Sequence, residues 1–218
     1  MIMPNDDSQL PFDAAFTRPE FAEALDAIAL GHAGQSTDLH DRGVVYLMRG
    51  LPSCGKSTRA RELAGEKGVV VETDEFFYTQ VGDSTKRYTF DAGRLQEARD
   101  WNYGRFVQAI DANVLSIAVD RGNGLNLETQ RYAKYAVARG YDVVLAEPNS
   151  PWWHEIRVLL KYKEHTMPVL EDWAEKLAQR NRSTHRTPAK TILRWMMNWR
   201  TDVTVRLILD YKAPATKV

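Results

Sequence analysis

Val44-Val-Tyr-Leu-Met-Arg-Gly50-Leu-Pro-Ser53-Cys54-Gly55-Lys56-Ser57-Thr58 is the stretch on which the reading of this chain turns. Its first five residues, Val44 to Met48, form an apolar run of strand length and imply a buried strand. Gly50-x-x-x-x-Gly55-Lys56-Ser57 follows, and Arg59 to Ala64 continue as a helical stretch. Each position has a chemical reason. Gly50 and Gly55 let the backbone wrap an oxyanion with no Cβ in the way. Successive N–H groups and the helix N-terminus then point at a β-phosphate. Lys56 reaches the β- and γ-phosphates, and the Ser57 hydroxyl is placed to ligate Mg²⁺. Gly50, Ser53, Cys54, Gly55, Lys56, Ser57 and Thr58 are therefore expected to hold a nucleoside triphosphate. The strand before and the helix after supply the context that a chance match would lack.

Outward from this stretch, strands and helices alternate. Val69-Val-Val-Glu-Thr-Asp74 reads as a second parallel strand, with Asp74 at its carboxyl end, where parallel sheets carry ligands. Residues 78–90 read as a loop or lid. Helical spacing predicts a helix from Arg94 to Ile110 with Leu95, Ala98, Trp101, Phe106, Ala109 and Ile110 as its core stripe. Val114 to Asp120 is a third strand ending in an acid. Leu127 to Arg139 is an amphipathic helix stopped by Gly140, and Tyr141 to Ala146 is a fourth strand. Trp152 and Trp153 read as a plug under a loop in preference to a base-stacking pair. Helices follow from His154 to Lys163 and from Val169 to Gln179. Another starts at Thr187-Pro188, with Thr187 as its cap. Val203 to Leu209 alternates apolar and polar residues and reads as a fifth, edge strand.

This order implies a three-layer α/β domain of the P-loop NTPase type, nucleotide-kinase-like, with a parallel sheet of about five strands and right-handed crossovers. Residues 1–42 read as an arm and a helix, and residues 43–218 as the phosphate-loop domain, with a helical arginine lid at about 165–200.

Composition narrows the function classes. The chain of 218 residues carries 29 basic and 29 acidic side chains, which excludes a polyanion binder steered by bulk charge. Any nucleic-acid contact must be a local patch. The single cysteine, Cys54, allows no disulfide within the chain, and the N-terminus has neither the basic region nor the apolar run of a signal peptide. Both suit a cytoplasmic protein. No apolar stretch approaches the ~20 residues of a membrane helix. The five histidines show no metal-ligand spacing.

Two acids and one basic segment carry the remaining chemistry. Asp120 ends the strand expected beside the loop, where a carboxylate holds Mg²⁺ directly or through water. Asp74 comes from a strand further out and is placed to take a proton from an acceptor hydroxyl. From Lys176 to Arg200 there are seven Lys or Arg residues and no acid. Arg180, Arg182 and Arg186 cluster between two helices, where a closing segment would set positive charge over the transferring phosphoryl group. The same patch could instead contact a nucleic-acid backbone.

Several motifs in order resemble a known family. They are Gly-Leu-Pro-Ser-Cys-Gly-Lys-Ser-Thr, Glu-Thr-Asp74-Glu-Phe-Phe, Tyr88-Thr-Phe-Asp91, Ala98-Arg-Asp-Trp101-Asn102, Val119-Asp120-x-x-Asn123, Glu128, Tyr132, Gly140-Tyr141, Glu147-Pro148 and Arg180-Asn181 with His185. Together they resemble the kinase module of phage polynucleotide 5′-hydroxyl kinase and, more closely, the Nedd-four-binding protein two group. The resemblance covers roughly Gly43 to Trp199. It implies ATP and Mg²⁺ as cofactors and transfer of the γ-phosphate to a nucleic-acid 5′-hydroxyl. It further implies Lys56 and Ser57 on ATP-Mg, Asp74 as general base, Asp120 as an acceptor-site acid, and Arg180 and Arg186 as lid arginines.

Two departures stand out. The family pattern Asp-Asn-Thr-Asn is here Asp120-Arg121-Gly122-Asn123, and Phe77 stands where the phage enzyme has an arginine after its base. Two other classes stay open: a kinase of a nucleoside or small hydroxylated metabolite, and an ATP-binding switch that transfers nothing.

Overall fold

A computed structural model describes residues 42–81, 85–182 and 186–214. The expected arm and helix before residue 42, and His185, lie outside the described residues. The elements run β1 (Val44–Met48), α1 (Lys56–Ala64), β2 (Val69–Glu72), β3 (Tyr78–Val81), β4 (Thr85–Tyr88) and α2 (Leu95–Asp111). They continue as β5 (Ser116–Asp120), α3 (Leu127–Ala138), β6 (Asp142–Ala146), α4 (Pro151–Lys161), α5 (Met167–Arg180), α6 (Ala189–Met197) and α7 (Val205–Leu209).

The main sheet has the order β2-β5-β1-β6, and every pairing in it is parallel. β1 sits between two neighbours, which is why it reads as an unbroken apolar run. Its side chains alternate between two helical layers. Val45 and Leu47 join Val71, Ile117 and Val119 against Phe106 and Ile110 of α2 and Tyr132 and Ala136 of α3. Met48 turns the other way with Ala118, against Ala60 and Ala64 of α1. The small alanines let α1 lie close to the sheet.

A separate core joins α4, α5 and α6. Trp153, Ile156, Leu170, Leu177, Ile192 and Met196 are all buried in it, together with Leu51 and Cys54 of the phosphate loop. Trp153 is the plug: it is fully buried, and its ring meets Trp199 edge-on at 5.2 Å. Ser150 caps α4 by accepting the Trp153 N–H at 3.3 Å, and Pro151 follows in the first helical turn.

The expected fifth strand is a helix, so the sheet has four strands. Thr204 caps α7, its hydroxyl accepting the Leu207 N–H at 3.2 Å. At the far end the buried Gln130 side chain donates to the carbonyls of Ile208, Leu209 and Tyr211 at 3.1, 2.8 and 2.8 Å. Those are the orphan carbonyls that a helix C-terminus must satisfy. The alternation of Val203 to Leu209 is too short to separate the two periods. A cap and a distant glutamine decide the outcome.

Within the expected loop or lid, Tyr78–Val81 and Thr85–Tyr88 are strands: β3 and β4 pair antiparallel, with Tyr78 opposite Tyr88. The aromatic and β-branched residues of this stretch favour that state. In α2 the buried stripe runs through Ala98, Asn102, Phe106, Ala109 and Ile110, while Trp101 is 39% exposed. Asn102 is accommodated because its Nδ2 donates to the Tyr132 hydroxyl at 3.2 Å. Pro188, not Thr187, occupies the cap of α6, and the Thr187 N–H goes instead to Asn181 Oδ1.

Candidate active site

The phosphate loop leaves β1 still paired, the Arg49 N–H donating to the Ala146 carbonyl at 2.7 Å. Gly50 then passes under Pro148, where a Cβ would lie 2.9 Å from the proline ring. Ser53 and Gly55 both take the left-handed conformation, at φ 59° and φ 86°. This is the geometry of a backbone nest that gathers N–H groups on one side. The start of α4 fixes its orientation. Trp152 Nε1 donates to the Ser53 carbonyl at 3.1 Å, and Ser150 Oγ donates to the Cys54 carbonyl at 2.9 Å. A trans peptide sets each carbonyl opposite the following N–H, so the Gly55 N–H is turned away from α4.

Cys54 is fully buried in the helical core, and burial pushes its thiol up to about 12. Its side chain therefore anchors the loop and offers nothing to a phosphate; a binding role is confined to its backbone. Thr58 is exposed in the first turn of α1.

Lys56 opens α1, and its Nζ stands 3.2 Å from Asp120 Oδ1 at the end of β5. Asp120 is 2% exposed, and among the described residues neither of its carboxylate oxygens receives a hydrogen bond. The lysine contact is an ion pair without hydrogen-bond alignment. Lys56, Ser57, Glu72, Asp74, Asp120 and Arg121 line one cleft of about 200 Å³. Four predicted site residues are thus brought together: Lys56, Ser57, Asp74 and Asp120.

Asp74 lies in the short 3₁₀ turn Thr73–Phe77 that closes β2. Tyr88, from the hairpin, donates to Asp74 Oδ1 at 3.4 Å. Burial and the Asp74 charge push the Tyr88 hydroxyl up, so it remains a donor at neutral pH.

The basic residues are less gathered. The Arg180 guanidinium lies 4.3 Å over the Trp152 ring, whose indole N–H holds the loop at Ser53, so this arginine stands one aromatic ring from the phosphate loop. Arg182 and Arg186 are exposed and do not line the cleft. Arg186 adopts φ 52°, its N–H bonded to the Asn181 carbonyl at 2.9 Å.

Two residues escaped the sequence reasoning. Glu72 is paired in register with Asp120 on the neighbouring strand and lines the cleft. Burial, then the charges of Asp120 and Asp74, push its carboxyl up to about 7. The signal was present, since Glu72 stands only two residues before Asp74 and closes the strand that leads to it. The other is Arg49, buried beside the loop entrance. It donates to the carbonyls of Asn123 at 3.2 Å and Arg200 at 2.7 Å, with its guanidinium 4.6 Å over Trp199. Nothing in the sequence marks an arginine at a strand end as buried.

The donor set suits Mg²⁺. Among the described residues no group of three His, Cys, Asp or Glu side chains could cage a metal. The Ser57 hydroxyl and the unsatisfied Asp120 carboxylate are hard oxygen donors, and Mg²⁺ typically takes one or two such groups and completes its shell with phosphate and water.

Fold and site together define a P-loop NTPase: a four-stranded parallel sheet between helical layers, with a glycine-flanked loop between β1 and α1. Residues 45–201 match the family described as AAA domain, and the chain belongs to that family. Human NEDD4-binding protein 2 is 30% identical over 173 residues, which make up 78% of this chain and 8% of that protein. This chain therefore spans a small part of that relative's length. No solved structure matches. Among the described residues no helix is long and apolar enough to cross a membrane.

Proposed function

We propose that this domain is an ATP-dependent phosphotransferase whose acceptor is the 5′-hydroxyl of a nucleic acid or nucleotide. The observation that carries the reading is the convergence of Lys56, Ser57, Asp74 and Asp120 on one cleft at the carboxyl ends of parallel strands. A nucleotide-binding P-loop domain needs Lys56, Ser57 and a metal-side acid such as Asp120, but has no use for Asp74. An acid on an outer strand, oriented by the Tyr88 hydroxyl, suits a second substrate.

In this mechanism Lys56 leaves Asp120 for the β- and γ-phosphates, and the Gly55 N–H and its neighbours hold the β-phosphate. Asp74 takes the proton of the acceptor hydroxyl as its oxygen attacks the γ-phosphorus in line. Ser57 and Asp120 would hold Mg²⁺, which would supply charge neutralisation for the phosphates. Arg180, with Arg182 and Arg186 on the following segment, supplies positive charge to the equatorial oxygens when that segment closes. The polynucleotide choice is supported by the ordered motifs running from the loop to Arg180-Asn181, which resemble the kinase module of phage polynucleotide 5′-hydroxyl kinase.

The test is transfer from γ-labelled ATP to an oligonucleotide with a free 5′-hydroxyl, beside the same oligonucleotide already 5′-phosphorylated and a panel of free nucleosides. Label on the first alone supports the reading. Label on nucleosides alone moves the acceptor to a small molecule, and ATP hydrolysis without any transfer points to a switch.

A further inference from the structure

Trp152 touches the phosphate loop and an arginine of the lid with two different parts of one ring. Its indole N–H donates to the Ser53 carbonyl at 3.1 Å, and the Arg180 guanidinium lies 4.3 Å over its face. The ring itself has little freedom. It follows Pro151 in the first turn of α4 and packs against the helical core, and its neighbour Trp153 is fully buried. Ser53 needs the bond, because a non-glycine residue at φ 59° persists only where its surroundings hold it.

Arg180 is the last residue of α5, and its backbone is fixed from both sides. Leu177 is fully buried, and the buried Asn181 donates to the Leu177 carbonyl at 3.0 Å and accepts the Thr187 N–H at 2.6 Å. Arg180 itself is exposed, so its guanidinium can travel by side-chain rotation alone. Its charge already reaches the loop: burial raises the Cys54 thiol, and Arg180 is among the groups that oppose that rise. A cation over an exposed indole face is held by only about two- to fivefold in an equilibrium. Charge-assisted bonds from a guanidinium to phosphate oxygens are stronger than that.

We infer that the Trp152 ring is a latch, which stores the Arg180 guanidinium beside the phosphate loop and releases it to the γ-phosphate of ATP. The inference rests on the phosphotransferase reading for Arg180 as the group drawn to the terminal phosphate. ADP fills the loop but ends at the β-phosphorus, so it leaves the stack in place. The domain thus tells ATP from ADP through one contact between a ring and a guanidinium. Trp152 is a positioning residue, acting through Ser53 on the loop and through Arg180 on the lid.

The experiment titrates the whole chain with ADP and with a non-hydrolysable ATP analogue, each with Mg²⁺, and reads calorimetric affinity and tryptophan emission. A guanidinium leaving an indole face alters the emission of that ring. The expected result is an emission change with the analogue well beyond that with ADP, and no such difference in Arg180→Gln. Trp152→Phe keeps an aromatic face and loses the N–H, so both affinities should weaken by the same factor to within about twofold. Trp152→Leu loses the face as well. There the analogue should gain on ADP by about two- to fivefold, because no stack has to be broken. A residue that only props the fold would weaken both nucleotides alike in both variants. Equal emission changes with ADP and the analogue overturn the latch, as does an emission difference that survives in Arg180→Gln. An affinity ratio left unchanged by Trp152→Leu overturns it too. Should Trp152→Leu fail to fold, the comparison of wild type with Arg180→Gln decides alone. Absence of phosphate transfer to every acceptor, with these binding and emission patterns intact, would sink the kinase reading alone.

Discussion

Lys56 Nζ lies 3.2 Å from Asp120 Oδ1, and this pair joins the first residue of the loop helix to the last residue of the adjacent strand. Without phosphate in the loop, the lysine is the one cation among the described residues that pairs with Asp120. In the proposed mechanism nucleotide binding draws Lys56 onto phosphate and would leave the carboxylate to a metal ion, which couples the two events.

Replacing Lys56 with Met should abolish ATP binding in a fluorescent-nucleotide titration. It should also lower stability by about 1–3 kcal/mol, because a buried carboxylate loses its counter-charge. Adding Asp120→Asn should restore stability in urea denaturation and leave ATP binding absent. If the double variant is no more stable than Lys56→Met, the pair does not balance charge in the folded chain.

Cys54 offers a clean probe of loop packing. It is the only cysteine of the chain, fully buried, with its thiol raised to about 12. A thiol reagent at pH 8 should therefore leave the native protein unlabelled for hours and label it within minutes in denaturant. Rapid native labelling would mean that the loop opens away from α4.

Glu72 sets a pH dependence. Its carboxyl titrates at about 7 in the folded chain, against an ordinary value of 4.5. Below pH 4.5 both states hold the proton. Between 4.5 and 7 the folded chain binds it more tightly than the unfolded one, so this group makes stability fall as pH rises through that window. Above pH 7 the cost is complete. Glu72→Gln should thus match the wild type at pH 4 and exceed it at pH 8 by about 1–2 kcal/mol, below the full linkage value because Glu72 is only part-buried. Denaturation midpoints at the two pH values check the sign.

The C-terminal helix can be tested at both ends. Thr204→Ala should cost about 1 kcal/mol through loss of its cap. Gln130→Leu should cost about 1–3 kcal/mol, since three carbonyls lose their shared donor. A hydrogen-exchange profile should show residues 205–209 as the region most affected by both.

The phosphate loop, β1 and the strand-end acids were legible because short-range chemistry dictates them: glycine where the chain turns on itself, valine runs where both faces are covered. What escaped depended on distant partners. Residues 203–209 alternate like a strand, and only Gln130, more than seventy residues away, makes the helix end tolerable. Trp101 has the spacing of a core residue, yet Asn102 is buried because Tyr132 offers it a partner. Glu72 is one of three acids in residues 72–75, and only the pairing of β2 with β5 sets it opposite Asp120. Arg49 needed the carbonyls of Asn123 and Arg200, which no local pattern brings beside it.

The central claim is that Asp74, steadied by Tyr88, takes the acceptor's proton while the loop holds ATP. The most direct measurement is single-turnover phosphate transfer by Asp74→Asn at saturating ATP and acceptor, beside its ATP affinity. The account predicts ATP binding within about threefold of the wild type and transfer slowed by 10²–10⁴, the usual span for losing a general base. Transfer at the wild-type rate would contradict it.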